Sequence, residues 1–199
     1  MINQSFIYLG AIIFFFGSIG YFIETLQGKV KPNKVTWFIW ALTPMIIFAA
    51  QVKQGVGIQS LLTFMVGFIP LIIFLASFVN KKSYWKIEKL DLICGGLSIV
   101  GLILWQVTKV GNIAIFFSLI SDFLAGWPTI VKSYQHPETE NYLLYLGNAT
   151  FALITLLTIK VWTFGTYSFS LYIFILTLLI AILVKFKVKK LFIKELIHK

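Results

Sequence analysis

Lys31-Pro32-Asn33-Lys34-Val35-Thr36-Trp37-Phe38-Ile39-Trp40 has a counterpart in His136-Pro137-Glu138-Thr139-Glu140-Asn141-Tyr142-Leu143-Leu144-Tyr145, at a constant offset of 105 residues. In each, Lys or His followed by Pro opens a short polar segment, and an aromatic pair spaced i, i+3 begins the apolar run beyond it. Similarity of this kind at long period signals a duplicated unit. Outward from these two loops, apolar runs near the ~20 residues needed to cross about 30 Å of hydrocarbon fall at 6–23, 35–50, 56–78, 90–107, 113–131, 142–159 and 163–184. The runs lack the alternation of barrel strands, and backbone groups in lipid must be satisfied within the segment, so each is predicted to be a helix. Under the offset the first three runs fall on the last three, and the fourth is left over.

The predicted fold is therefore an all-α membrane protein of seven transmembrane helices, two three-helix bundles joined by a linker helix. Residues 1–80 form the first repeat, 81–109 a loop and the linker, 110–187 the second repeat and 188–199 a lysine-rich tail. One linker span makes the bundles enter the membrane in the same direction, as parallel repeats about an axis along the membrane normal.

Composition agrees. Hydrophobic residues make up 59% and charged ones 12%, about half the charged share of an ordinary soluble domain. The net charge of +10 does not imply a nucleic-acid partner, because the basic residues sit between apolar runs and build no continuous basic face. All are lysine. Of the 17, every one but Lys53, Lys109 and Lys160 follows the first, third, fifth or seventh run. Basic residues collect on the cytoplasmic side, so the carboxyl terminus is expected inside and the amino terminus outside the cell membrane. The first run has no basic leader and no A-x-A cleavage site, so it is expected to remain as a mature helix. Cys94 stands alone, and His136 and His198 lie outside the runs, so neither a disulfide nor a Cys/His metal site is expected.

The stretch Asp122-Phe-Leu-Ala-Gly-Trp-Pro128-Thr129-Ile-Val-Lys132-Ser133-Tyr134, continuing to Pro137-Glu138-Thr139-Glu140-Asn141, resembles the signature of the PQ-loop, SWEET and MtN3-like transporters. There a Pro-Gln dipeptide ends a helix and a basic, Ser/Thr-rich loop follows. Here Thr129 takes the Gln place, and Ile23-Glu24 holds the dipeptide's position in the first repeat. The resemblance implies the 3+1+3 plan and transport of a small solute by alternating access.

Asp122 is the sharpest chemical signal. It lies near the middle of the fifth run, where an ionisable side chain costs roughly 2.5–3.5 kcal/mol on insertion scales. A carboxyl group facing a central cavity there suits proton uptake and release, and the resemblance implies the same coupling. The competing reading is an Asp hydrogen-bonded to a neighbouring helix, with Ser118, Ser121, Asn148 or Thr150 as donors. Asn148 and Thr150, with Thr43 at the offset position of Asn148, form a second polar set; these and Ser121 suit a solute held between the bundles or simple helix-to-helix hydrogen bonds. Trp37 and Trp40, like Tyr142 and Tyr145, are one turn apart and suit either ligand walls or the interfacial aromatic belt. Pro44 and Pro128 each remove a helical hydrogen bond and can act as hinges; Pro70 lies in the third run. Gln106 and the glycines Gly95, Gly96 and Gly101 suit close helix contact. Glu24, Glu138 and Glu140, among lysines, read as solvated loop charges.

The spans hold no Ser/His/Asp or His-rich cluster, so no enzyme and no cofactor are expected. The predicted partners are the lipid bilayer and a small polar solute, with copies of the same chain as a further candidate. The alternative is a non-transporting receptor or scaffold on the same plan, whose lysine tail recruits partners or anionic lipid at about 1 kcal/mol per lysine.

Overall fold

The structure, a computed structural model, describes residues 2–83, 85–108 and 111–189. Lys109 and the last ten residues of the lysine-rich tail, including His198, lie outside the described residues, as does the side chain of Gln106. The described residues form seven α-helices: α1 Phe6–Gln27, α2 Lys34–Lys53, α3 Ser60–Ala76, α4 Lys89–Thr108, α5 Gly111–Gln135, α6 Tyr142–Thr158 and α7 Phe164–Phe186. A short 3-10 turn, Pro137–Thr139, precedes α6. Four segments, Phe6–Gln27, Lys34–Lys53, Ile115–Gln135 and Phe164–Phe186, are helical, long and apolar enough to cross a membrane; α3 and α6 are shorter apolar helices.

The helix limits follow local chemistry. Asn33 caps α2 by accepting from the Val35 and Thr36 amides, and Asn141 caps α6 by accepting from Leu143, which satisfies amides that have no helical partner. Gly28, at φ 76°, ends α1 in the left-handed conformation that glycine takes without strain. The third helix begins at Ser60, later than the apolar pattern predicts, because left-handed Gly55 precedes that run and a turn in which the Ser60 amide donates to the Gly57 carbonyl occupies its start.

The exterior is apolar, and the apolar core also takes in many polar side chains. Ser, Thr, Asn and Asp are buried between helices, whereas Phe16, Leu75, Leu92, Ile93 and Ile175 are exposed on the outer faces. Lipid is the solvent such an exterior fits. On α1 the inward stripe is Ile7, Gly10, Phe14, Ser18, Tyr21 and Thr25, the 3-4 spacing of a helix with one buried face.

Helix α1 packs on α3 and α6, α2 on α3, α4 and α5, α5 on α4 and α7, and α6 on α7. Exchanging α1 with α5, α2 with α6 and α3 with α7 turns the α1–α6 contact into α2–α5, α2–α3 into α6–α7, and α1–α3 into α5–α7. The α1–α6 crossing is close: a Cβ on Gly17 would lie 2.9 Å from the Leu143 carbonyl oxygen. The lysine-bearing connections gather at one end, where the Asn80 amide donates to the Leu26 carbonyl and Asn33 Nδ2 to Asp91 Oδ1.

Candidate functional site

Where the helices converge, a central cavity of about 30 Å³ is walled by the aromatic rings of Phe14, Trp37, Trp40 and Tyr145 and carries three polar residues, Asp122, Asn148 and Thr177. Its remaining lining is aliphatic and comes from α3, α6 and α7. By the roughly 10–15 Å³ that one water requires, it holds two or three water-sized guests. A sugar- or amino-acid-sized solute needs the helices to part.

The polar atoms decide what this space can do. Asp122 is 1% exposed. Its Oδ2 accepts from the Tyr172 hydroxyl at 2.8 Å, while Oδ1 has no hydrogen-bond partner among the described residues. Neither do Trp37 Nε1 and Asn148 Oδ1. A carboxyl oxygen, an amide oxygen and an indole N–H, all without partners among the described residues, belong to residues that line one aromatic-walled cavity. Buried polar atoms without partners are costly, so each is a position where a guest's hydrogen-bonding groups are favoured.

The site is assembled from backbone features as well. Trp40 Nε1 donates to the Asp122 carbonyl at 3.3 Å and the Thr36 hydroxyl to the Ala125 carbonyl at 2.7 Å, tying α2 to α5 beside the cavity. Pro44 and Pro70 lie inside α2 and α3. Lacking an N–H, they leave the carbonyls four residues earlier, on Trp40 and Val66, without helical partners, and both residues line the cavity. Pro128 interrupts α5 in the same way beyond Asp122.

Of the residues singled out by sequence, Asp122, Asn148, Trp37, Trp40 and Tyr145 come together at this cavity, whereas Thr43, Thr150, Ser121 and Tyr142 lie outside its lining. Thr150 and Ser121 donate to the carbonyls of Leu146 and Phe117 in their own helices. Tyr142 lies beside Lys185, whose Nζ is 5.5 Å from the ring centroid. Thr43 is buried with its hydroxyl unpartnered among the described residues. The donor to Asp122 is Tyr172, not one of the four expected from sequence.

Glu140 corrects the sequence reading outright. Expected as a solvated loop charge, it has a side chain 0% exposed and an oxygen 2.5 Å from Lys132 Nζ. Its other oxygen accepts from the hydroxyls of Tyr21 at 2.9 Å and Tyr145 at 2.8 Å. The 3-10 turn folds the loop back over the helix ends and carries the carboxylate inward. Glu24, half-buried, accepts from Asn141 Nδ2 at 2.6 Å, and Glu138 is exposed.

Comparison with known proteins gave no match to a family model, a curated protein or a solved structure.

Proposed function

We propose that the chain is a multi-pass membrane transporter that carries a small polar solute by alternating access, two three-helix bundles rocking about the central cavity. The observation that carries this reading is Asp122: a carboxyl group buried at the middle of a membrane-length helix, one oxygen held by Tyr172 and the other unpartnered in an aromatic-walled cavity. An ionisable group at that depth is expensive and is characteristic of solute and proton pathways. The helix contacts that survive exchange of α1–α3 with α5–α7 support two like-oriented bundles with α4 as the linker. On the same reading the lysine-rich end is cytoplasmic and the amino terminus outside.

In the proposed cycle the solute takes hydrogen bonds from Trp37 Nε1 and gives them to Asp122 Oδ1 and Asn148 Oδ1, with its flat faces against Trp37, Trp40 and Tyr145. The proline-interrupted segments of α2, α3 and α5 supply the bending that lets the contracted cavity widen. A proton on Asp122 would travel with the solute, giving uptake that depends on a pH gradient. Purified protein in proteoliposomes, screened with sugars, amino acids and vitamins, tests this. Asp122→Asn is expected to abolish the response of uptake to a pH gradient; unchanged uptake and unchanged pH response in that variant would remove Asp122 from the mechanism.

The small volume of the cavity favours one competitor, a non-transporting receptor or scaffold on the same helical plan. That reading predicts a centre that never widens, so no solute in the screen would cross the bilayer or protect a cavity residue from labelling.

A further inference from the structure

The buried charges at the lysine-rich end have no part in holding a solute, yet they lie directly beneath the cavity. Lys132 and Glu140 belong to one sequence half, α5 and the segment leading into α6, and each reaches across to the other. Glu140 accepts from the Tyr21 hydroxyl of α1. Lys132 Nζ donates to the Lys31 carbonyl in the α1–α2 connection. The Lys31 amide in turn donates to the Thr139 carbonyl at 3.1 Å. Lys132 is further covered by Trp85, whose ring centroid is 4.8 Å from Nζ.

Tyr145 joins this cluster to the cavity wall, lining the cavity with its ring and tying its hydroxyl to Glu140. Tyr21 packs 5.0 Å from Trp37 and edge-on to Tyr145, centroid to centroid 6.4 Å. Breaking the Tyr21–Glu140 and Lys132–Lys31 bonds would separate the two aromatic sets and open a path from that end to Asp122.

A buried ion pair suits a joint that must open and close. Taking two charges out of water costs several kcal/mol per ion, and their attraction only about repays it. Closed and paired, or open and hydrated, the two states therefore lie close in free energy, which a bistable element requires. An apolar seal is balanced differently, since opening it exposes hydrophobic surface with no hydration of charge to offset the loss. The opposite end is closed in that other way, by buried Ile7, Ile47, Leu62 and Phe169, with Gln51 Nε2 donating to the Gly165 carbonyl at 3.0 Å.

We propose that Lys132 and Glu140, with the Tyr21 and Tyr145 hydroxyls and the Lys31 carbonyl, form the latch of a gate that closes the cavity toward the lysine-rich end. This rests on the transport reading for its purpose but is tested without a solute. In a Cys94→Ala background, Thr177→Cys places a single thiol on the cavity wall, and a charged, membrane-impermeant thiol reagent is applied to sealed vesicles of each orientation. Tyr21→Phe, which deletes one hydroxyl, is expected to raise the labelling rate from the lysine-rich side about five- to tenfold, the factor one net hydrogen bond carries. The rate from the other side is expected to stay constant or fall. Glu140→Gln should act in the same direction and more strongly, with thermal melting of each variant reporting whether it folds. Unchanged labelling in folded Tyr21→Phe, or an equal rise from both sides, would overturn the latch. Proteoliposome uptake separates the two readings: labelling that shifts without any uptake keeps the latch and removes the transporter, and uptake with unshifted labelling does the reverse.

Discussion

Asp122 is held through one oxygen by the Tyr172 hydroxyl, while its other oxygen has no partner among the described residues. Tyr172→Phe removes the donor while keeping the ring, leaving both carboxyl oxygens unpartnered at a buried site. The expected loss is about 1–3 kcal/mol, read as a lower melting temperature in micelles. Ser121→Ala, one residue from Asp122, is expected to change stability by less than about 0.5 kcal/mol, since among the described residues its hydroxyl donates to the Phe117 carbonyl of its own helix alone. The contrast shows what was legible at this scale. A carboxylate in an apolar run is visible from sequence by its cost, but its partner is not, because Tyr172 is 50 residues away and only packing brings it close. Ser and Thr are misleading for a physical reason: Ser121, Thr150 and Thr177 each take the carbonyl four residues back in their own helix, so a polar side chain in a membrane helix need not point to a partner or a solute. Glu140 was illegible in the opposite sense. Nothing in a run of loop residues among lysines announces burial, and the 3-10 turn opened by Pro137 that carries it inward is a tertiary fact.

At the scale of elements, helix limits were largely readable, since apolar run length and the Asn33 and Asn141 caps act locally. Register was not. The loops align at an offset of 105, but the two Asn-capped helices begin at Lys34 and Tyr142, an offset of 108. The 3-10 turn accounts for the difference, occupying three residues with no helical counterpart before α2. By cap-to-cap count, Trp37 corresponds to Tyr145 and Trp40 to Asn148, and all four line the cavity; Thr43, the partner of Asn148 by loop alignment, lies outside it. Glycines divide in a similar way. At the α1–α6 crossing Gly17 has no room for a side chain, so Gly17→Leu is expected to force the helices apart and cost about 1–3 kcal/mol. In α4, a Cβ on Gly96 would meet nothing within 4 Å, so Gly96→Ala is expected to be neutral or to stabilise by up to about 1 kcal/mol. Thermal melts of the two variants in the same detergent check both; a tolerated Gly17→Leu would mean that the crossing is looser than its geometry.

Over the whole molecule, the side chains packed at the two ends and the contracted centre belong to one conformation, with room at the centre for water-sized guests alone. Sequence showed that the exterior is lipid-like and that a charge lies within; it could not show the state of closure, which depends on loops folding over helix ends. The two closures differ in kind, built on a buried ion pair at the lysine-rich end and on uncharged, mostly apolar side chains at the other, so the ends should respond differently to the same guest. Widening the cavity from about 30 Å³ to admit a solute must be offset by the hydrogen bonds that Asp122 Oδ1, Asn148 Oδ1 and Trp37 Nε1 gain. On the proposed transport reading, a solute that satisfies them binds the folded chain alone, and at a concentration one hundred times its dissociation constant it would add about 2.7 kcal/mol to stability. The melting temperature of purified protein should therefore rise continuously, and above the dissociation constant about linearly, with the logarithm of the concentration of such a solute. Asn148→Ala is expected to weaken that rise by removing an acceptor, whereas Thr150→Ala, whose hydroxyl is spent within α6, should leave it intact. An equal loss in both variants would move the binding groups away from the cavity wall and onto the outer face of α6.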